Sequence, residues 1–217
     1  MLCKTLELKM KLISVNVGLP REVSWKGKTV RTGIFKEPVS ERIMVRSLNL
    51  DGDRQADLTV HGGLDKAVYV YPFEHYDYWR SELPDTELPL GTFGENFTIT
   101  GLREEEVNIG DRFRIGNVTL MVTQPRLPCY KLGIRFGRPD MVKQFLASRR
   151  TGFYFRVLQE GEVEAGDTLE LLSRDDNNIT VADITQLYVR KEDNPDLRQR
   201  AAQLEALPKS WRDYFQQ

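Results

Sequence analysis

The stretch "VNIGDRFRIGNVTLMVTQPRLPCYKLG", residues 107–133, decides the fold. At its centre, "FRIGNVTLMVTQ" (113–124) sets Gly116-Asn117 between two alternating apolar runs. Gly and Asn tolerate the backbone of a tight two-residue turn, so the segment predicts a β-hairpin. Its opening, "VNIGDRFRI" (107–115), has an echo in "VEAGDTLEL" (163–171), each a Val-x-x-Gly-Asp turn that runs into an alternating strand. Two such turns suit the corners of a closed β structure.

Working outward, "LISVNV" (12–17), "RIMVRS" (42–47), "KAVYVYP" (66–72), "FYFRVLQ" (153–159) and "DTLELLS" (167–173) read as further strands, and "VSWKGKTV" (23–30), with its Lys-Gly-Lys centre, as a hairpin. Many short strands separated by turn residues predict a barrel or sandwich. Helical spacing appears in "PFEHYDYWRSEL" (72–83) and "RPDMVKQFLAS" (138–148). From about residue 181 the pattern changes. "TVADITQLYVR", "NPDLRQRAAQLEAL" and "PKSWRDYFQQ" predict three helices, with caps or prolines at their starts. The charged turn "SRDDNN" (173–178) marks the expected boundary. The expected division is a mainly β, closed barrel-like body over 10–174 and a three-helix region over 179–217. Met10 as an alternative start would leave residues 1–9 as an unstructured lead. The tail's apolar residues Leu187, Leu197, Leu204, Leu207, Trp211 and Phe215 read as core before partner surface.

The 217 residues are 40% hydrophobic, enough for a real core. With 31 basic and 32 acidic residues the net charge is -1, so neither nucleic acid nor a membrane surface is an expected partner and any anion recognition is local. No apolar run reaches the roughly 18 residues of a membrane span. The first residues show neither a secretory nor a transit pattern. Two cysteines, Cys3 and Cys129, make no disulfide framework, which fits a reducing cytoplasm.

Three stretches hold candidate chemistry. In "QPRLPCYKLG" (124–133), Cys129 follows Pro128 between Arg126 and Lys131. Prolines fix the local backbone, and a helix beginning here would place Cys129 in its first turn, where the dipole and nearby cations favour a thiolate. A functional thiol and a small buried hydrophobe both remain open. In "GDRQADLTVHGGLDKAVYVYP" (52–72), His61-Gly62-Gly63 precedes Lys66. A double glycine allows an anion-binding nest of backbone N–H groups with Lys66 as a point charge, or a plain strand connection. In "GTFGENFTITGL" (91–102), Glu95 and Asn96 lie between phenylalanines, and Asn96 reads as a ligand contact or a turn residue. There is no nucleophile elbow, Walker loop or dinucleotide fingerprint. Two histidines and two cysteines do not make a tetrahedral zinc site of the usual ligands.

Four segments in this order, "VHGGLDKAVYVYPFEHYDYW", "GTFGENFTITGL", "GDRFRIGNVTLMVTQPRLPCYKLG" and "TGFYFRVLQEGEVEAGD", resemble the MOSC-domain family. The tail, with "LPKSWRDYF", resembles the 3-alpha domain of its stand-alone bacterial YiiM-type branch. The resemblance implies a β-barrel-like fold and a pocket thiolate, matched by Cys129, that ligates molybdenum beside the dithiolene sulfurs of a pterin cofactor. It implies reduction of small N-hydroxylated compounds such as hydroxylaminopurines and amidoximes. A soft thiolate suits such a metal. His61, Gly62, Gly63, Lys66, Asn96, Arg126 and Lys131 are then the expected contacts to the anionic molybdopterin, and His61 or Glu95 the expected proton carrier. No flavin, haem or iron–sulfur motif is visible, so a separate electron-donor redox protein is expected. A homodimer through the tail's aromatic residues stays open. The alternatives are a sulfur carrier using a Cys129 persulfide and a cofactor-binding module without turnover.

Overall fold

The computed structural model describes residues 10–57, 61–190 and 194–217; the expected lead over 1–9 lies outside them. Twelve strands and six helices run along the described chain: β1 (Lys11–Val17), β2 (Arg21–Trp25), β3 (Lys28–Thr32), β4 (Glu37–Val39), β5 (Ile43–Val45), β6 (Val68–Pro72), α1 (Glu74–Glu82), β7 (Phe97–Thr100), β8 (Arg112–Ile115), β9 (Val118–Pro125), α2 (Tyr130–Phe136), α3 (Met141–Ser148), β10 (Phe153–Gln159), β11 (Gly161–Val163), β12 (Leu169–Ser173), α4 (Val181–Arg190), α5 (Pro195–Gln203) and α6 (Lys209–Gln216). A short 3-10 turn, Leu64–Lys66, precedes β6.

The main sheet has eight strands in the order β12-β8-β9-β10-β6-β7-β1-β4. The predicted hairpin is β8–β9, with Ile115 opposite Val118. The echoing turns share one geometry. Asp111 accepts from the Asn108 N–H, and Asp167 from the Glu164 N–H, each at three residues' distance. All the sheet's pairs are antiparallel except β6–β7, which is parallel and joined through α1. A parallel pair needs such a crossover, and β7 is its return strand. Sequence reading misses β7 because its four residues follow a glycine-rich turn; it also misses β4 and β11, at three residues each.

The expected closed barrel is not formed. The free edge of β1 is divided: Val15–Val17 pair with β4, while Lys11 makes a single bridge to Thr168 ahead of β12. Three backbone bonds tie Met10 and Leu12 to the 166–169 turn. Because β4 occupies half of that edge, no ladder continues from β12 onto β1. The fold is a mainly β body with a C-terminal helical region.

One core cluster fills the sheet from Leu12 to Phe155 and continues without a break into Leu187, Leu204, Trp211 and Phe215 of the tail. The tail's apolar residues pack on the body, and each fully buried one stabilises that docking by roughly 2 kcal/mol. A second, aromatic cluster joins Tyr69, Tyr71, Trp79, Phe93 and Phe145 beneath α1 and α3. The two clusters lie on opposite faces of β6, whose residues are all buried.

Candidate functional site

Three segments converge on one cleft that opens to solvent. His61, Gly62 and Lys66 approach from before β6; Arg126, Leu127 and Cys129 follow β9; Lys131 stands in the first turn of α2. Pro125 ends β9 and Pro128 stops any early helix, so the chain runs extended to Cys129 (φ -120°, ψ 174°). Cys129 is therefore the N-cap of α2, one position before its first turn. Its Sγ lies 3.4 Å from His61 Nε2.

The cleft lining carries His61, Lys66, Arg126, Lys131, Lys36 and Arg54, and no carboxylate. Lys36 is neutralised beneath the surface by Asp53, at 2.5 Å. Arg126 is different. It is 6% exposed, its guanidinium lies 4.9 Å from the Tyr69 ring and 5.0 Å from Phe145, and its Nη1 has no hydrogen-bond partner. It has no carboxylate partner among the described residues. A buried charge without a carboxylate partner is costly, and here the Tyr69 and Phe145 rings and the Tyr154 hydroxyl are its neighbours. Burial, with Lys131, Lys66 and Arg126, holds the His61 pKa below its usual 6.5 against the pull of Asp57. The imidazole is neutral at pH 7. Its Nδ1 is buried with no partner, and its Nε2 shares a hydrogen bond with the Cys129 thiol. Burial lowers the Lys66 pKa although Asp65 opposes it, and burial keeps Tyr69 and Tyr154 protonated.

Two sequence expectations are corrected, for Glu95 and Gly63. Glu95 does not face the cleft. It is fully buried, and its carboxylate accepts from the N–H groups of Gly91 and Phe93 and from the hydroxyls of Tyr76 and Thr98. It ties the 91–98 turn together. Asn96 lines the cleft with both amide hydrogens already used, Nδ2 donating to Asp53 (2.9 Å) and to the Asn16 carbonyl (3.3 Å), while Oδ1 accepts from the Tyr69 N–H. Gly63 is exposed outside the lining, and its φ of 87° with ψ of 171° is not the left-handed helical turn of an anion nest. Gly62, at φ 100°, does line the cleft, in a conformation that favours glycine. Tyr69, Tyr154 and Arg54 were not singled out. Only Arg54 had a local signal, beside the quoted His-Gly-Gly segment.

No three His, Cys, Asp or Glu side chains among the described residues gather as a metal site. A bare ion would find one thiol and one imidazole. A metal that arrives with its own sulfur ligands and an anionic body needs only one protein thiolate and a cationic cradle, which is the donor set here. The residues fit such a group.

Comparison with known proteins agrees with this chemistry. A MOSC domain model matches residues 57–170, and a YiiM-like 3-alpha helix domain model matches residues 179–217. The chain belongs to the MOSC-domain family, which is associated with molybdenum-cofactor binding. Within it the similarity is to the YiiM-like members. The Bacillus subtilis protein YflK is 44% identical over 207 residues, covering 95% of this chain and 93% of that one. The crystal structure of YiiM from Geobacillus stearothermophilus superimposes with a TM-score of 0.80 at 36% identity, over 95% of this chain and 97% of that one. A Gibberella moniliformis protein named Reductase is 35% identical over 166 residues, which span 75% of this chain and 29% of that protein. No described helix is long and apolar enough to cross a membrane.

Proposed function

We propose that this protein is a molybdenum-cofactor-dependent reductase of small N-hydroxylated compounds. The observation that carries the reading is the pairing of Cys129 with an acid-free cationic cleft in which Arg126 Nη1 and His61 Nδ1 are buried without partners. Cys129 would supply the one protein ligand to molybdenum. Arg126, Lys66 and Lys131 would hold the anionic pterin portion, with Gly62 giving room for close backbone approach. When bound, the cofactor supplies the two-electron redox chemistry.

The chain's own residues do the rest. Reducing R–NHOH to R–NH2 and water consumes two electrons and two protons. His61, neutral, would hold a proton on its ring beside the reacting pocket and give it to the substrate. Tyr69 and Tyr154, protonated throughout, wall the cleft without competing as anions. Asn96, Asp53 and Lys36 form a closed network that holds the wall rigid. Electrons come from a separate redox protein.

The test is turnover of benzamidoxime by protein made in cells with excess molybdenum cofactor, with a reduced viologen dye as electron donor. Conversion to benzamidine that is lost in Cys129→Ser is the expected result. Metal-loaded protein that leaves the amidoxime untouched would overturn the reading.

A further inference from the structure

The three-helix tail reaches the cleft through one buried chain of hydrogen bonds. Trp211 of α6 donates its indole N–H to Gln124 Oε1 at 2.6 Å. Gln124 Nε2 donates to the Asp65 carbonyl at 3.2 Å, and Thr123 Oγ1 donates to the same carbonyl at 2.7 Å. Trp211 is 6% and Gln124 2% exposed.

The direction of this chain is fixed by chemistry. An indole N–H can only donate, so it must meet the oxygen end of the Gln124 amide. That leaves the NH2 end facing Asp65. A carbonyl held by two donors has its peptide plane fixed, and the 65–66 plane sets the direction in which Lys66 leaves the turn. Arg156 fixes the same residue from the other side, its Nε 2.8 Å from Asp65 Oδ1. The Lys66 N–H closes the turn on the Gly63 carbonyl at 3.0 Å, and His61 lies two residues before that. Gln124 also stands two residues before Arg126 on the same strand end. One amide thus ties the tail to both cation-bearing walls.

We propose that Trp211 and Gln124 are positioning residues, through which the tail holds the His61–Lys66 wall in register with Arg126 and Cys129. This rests on the cleft being the cofactor site. Neither residue lines the cleft, so their effect is on geometry alone.

The test compares Trp211→Phe and Gln124→Glu with a packing control, Phe215→Leu, by hydrogen–deuterium exchange of the full chain. Trp211→Phe removes the donor together with part of the buried ring, and the Phe215→Leu control accounts for the packing share. Gln124→Glu keeps the acceptor for Trp211 and removes the donor to Asp65. Each should speed exchange in peptides covering 61–67 by about fivefold, the worth of one buried hydrogen bond, with β8–β9 unchanged. The double variant should match Gln124→Glu alone, because both act on one link. Phe215→Leu should lower the melting temperature with no selective change at 61–67. Molybdenum content of the same preparations should fall several-fold in the first two variants and not in the control. Unchanged exchange at 61–67 would overturn the coupling whatever the metal content. Faster exchange with wild-type metal content would overturn its link to the site. Absence of molybdenum from the wild type would count against the proposed function, while the exchange data would still decide the coupling.

Discussion

The chain's two histidines occupy opposite settings. His75, on α1, is buried with Nε2 2.7 Å from Glu104, which also accepts the Gly152 N–H at 2.7 Å, and its ring meets the edge of Tyr71. His61 faces a thiol, leaves Nδ1 unpartnered and has cations for neighbours. The same contrast separates Glu95, with its four donors, from Arg126, with no carboxylate. Folded proteins rarely leave buried polar atoms unpaired. Four such side-chain atoms occur among the described residues, and two of them belong to residues that line this one cleft. Satisfied groups build the frame, and the proposed function gives the two unsatisfied ones in the cleft walls a role.

That contrast can be broken by substitution. The largest effect should come from His75→Leu, which strands Glu104 in the core and should cost about 3 kcal/mol in chemical denaturation. A cost under about 1 kcal/mol would mean the pair is not structural. Next, Glu95→Gln should cost about 2 kcal/mol through weakened acceptor bonds, yet leave turnover per folded molecule unchanged. A fall in turnover at full stability would restore Glu95 as a proton carrier. Arg126→Met should act in the other direction. It removes an unpaired buried charge and should stabilise the cofactor-free protein by about 1 kcal/mol, while molybdenum retention falls at least tenfold. Destabilisation with normal loading would show that Arg126 belongs to the frame.

The smallest effect is in pH dependence. The His61 pKa is lowered on folding, so the unfolded chain binds the extra proton first, and stability should decline as pH falls below about 6.5. His61→Gln should flatten that slope. Burial alone would raise the Glu104 pKa, but His75 and the Gly152 N–H outweigh it and the net shift is downward. Its contribution is therefore present above the ordinary carboxylate value and lost as pH falls through the folded one. Burial raises the Glu95 pKa, so its contribution has the opposite slope. Melting curves from pH 4 to 8 on the wild type, His61→Gln, His75→Leu and Glu95→Gln separate these terms.

Much of this was legible from local pattern. Gly116-Asn117 gives the β8–β9 hairpin, Asn194-Pro195 caps α5 through the Leu197 N–H, and the tail's apolar residues are core. Cys129, Arg126, Lys131, His61, Gly62 and Lys66 do share one cleft. What failed needed long-range information. Closure of the sheet depended on which strand takes the second edge of β1. The fate of Glu95 depended on Tyr76 and Thr98 arriving from other elements, and that of Asn96 on Asp53, 43 residues away. A polar residue beside glycines looks the same in sequence whether its bonds will be filled by the fold or left open.

The most direct test is molybdenum content by elemental mass spectrometry, on wild type and Cys129→Ser purified from cells making excess molybdenum cofactor. Near one metal per wild-type chain and less than a tenth of that in the variant is the predicted result. Equal metal in both would mean the thiol does not hold it. No metal in either, with cyanide-labile sulfur on Cys129, would contradict the reductase account in favour of a sulfur carrier.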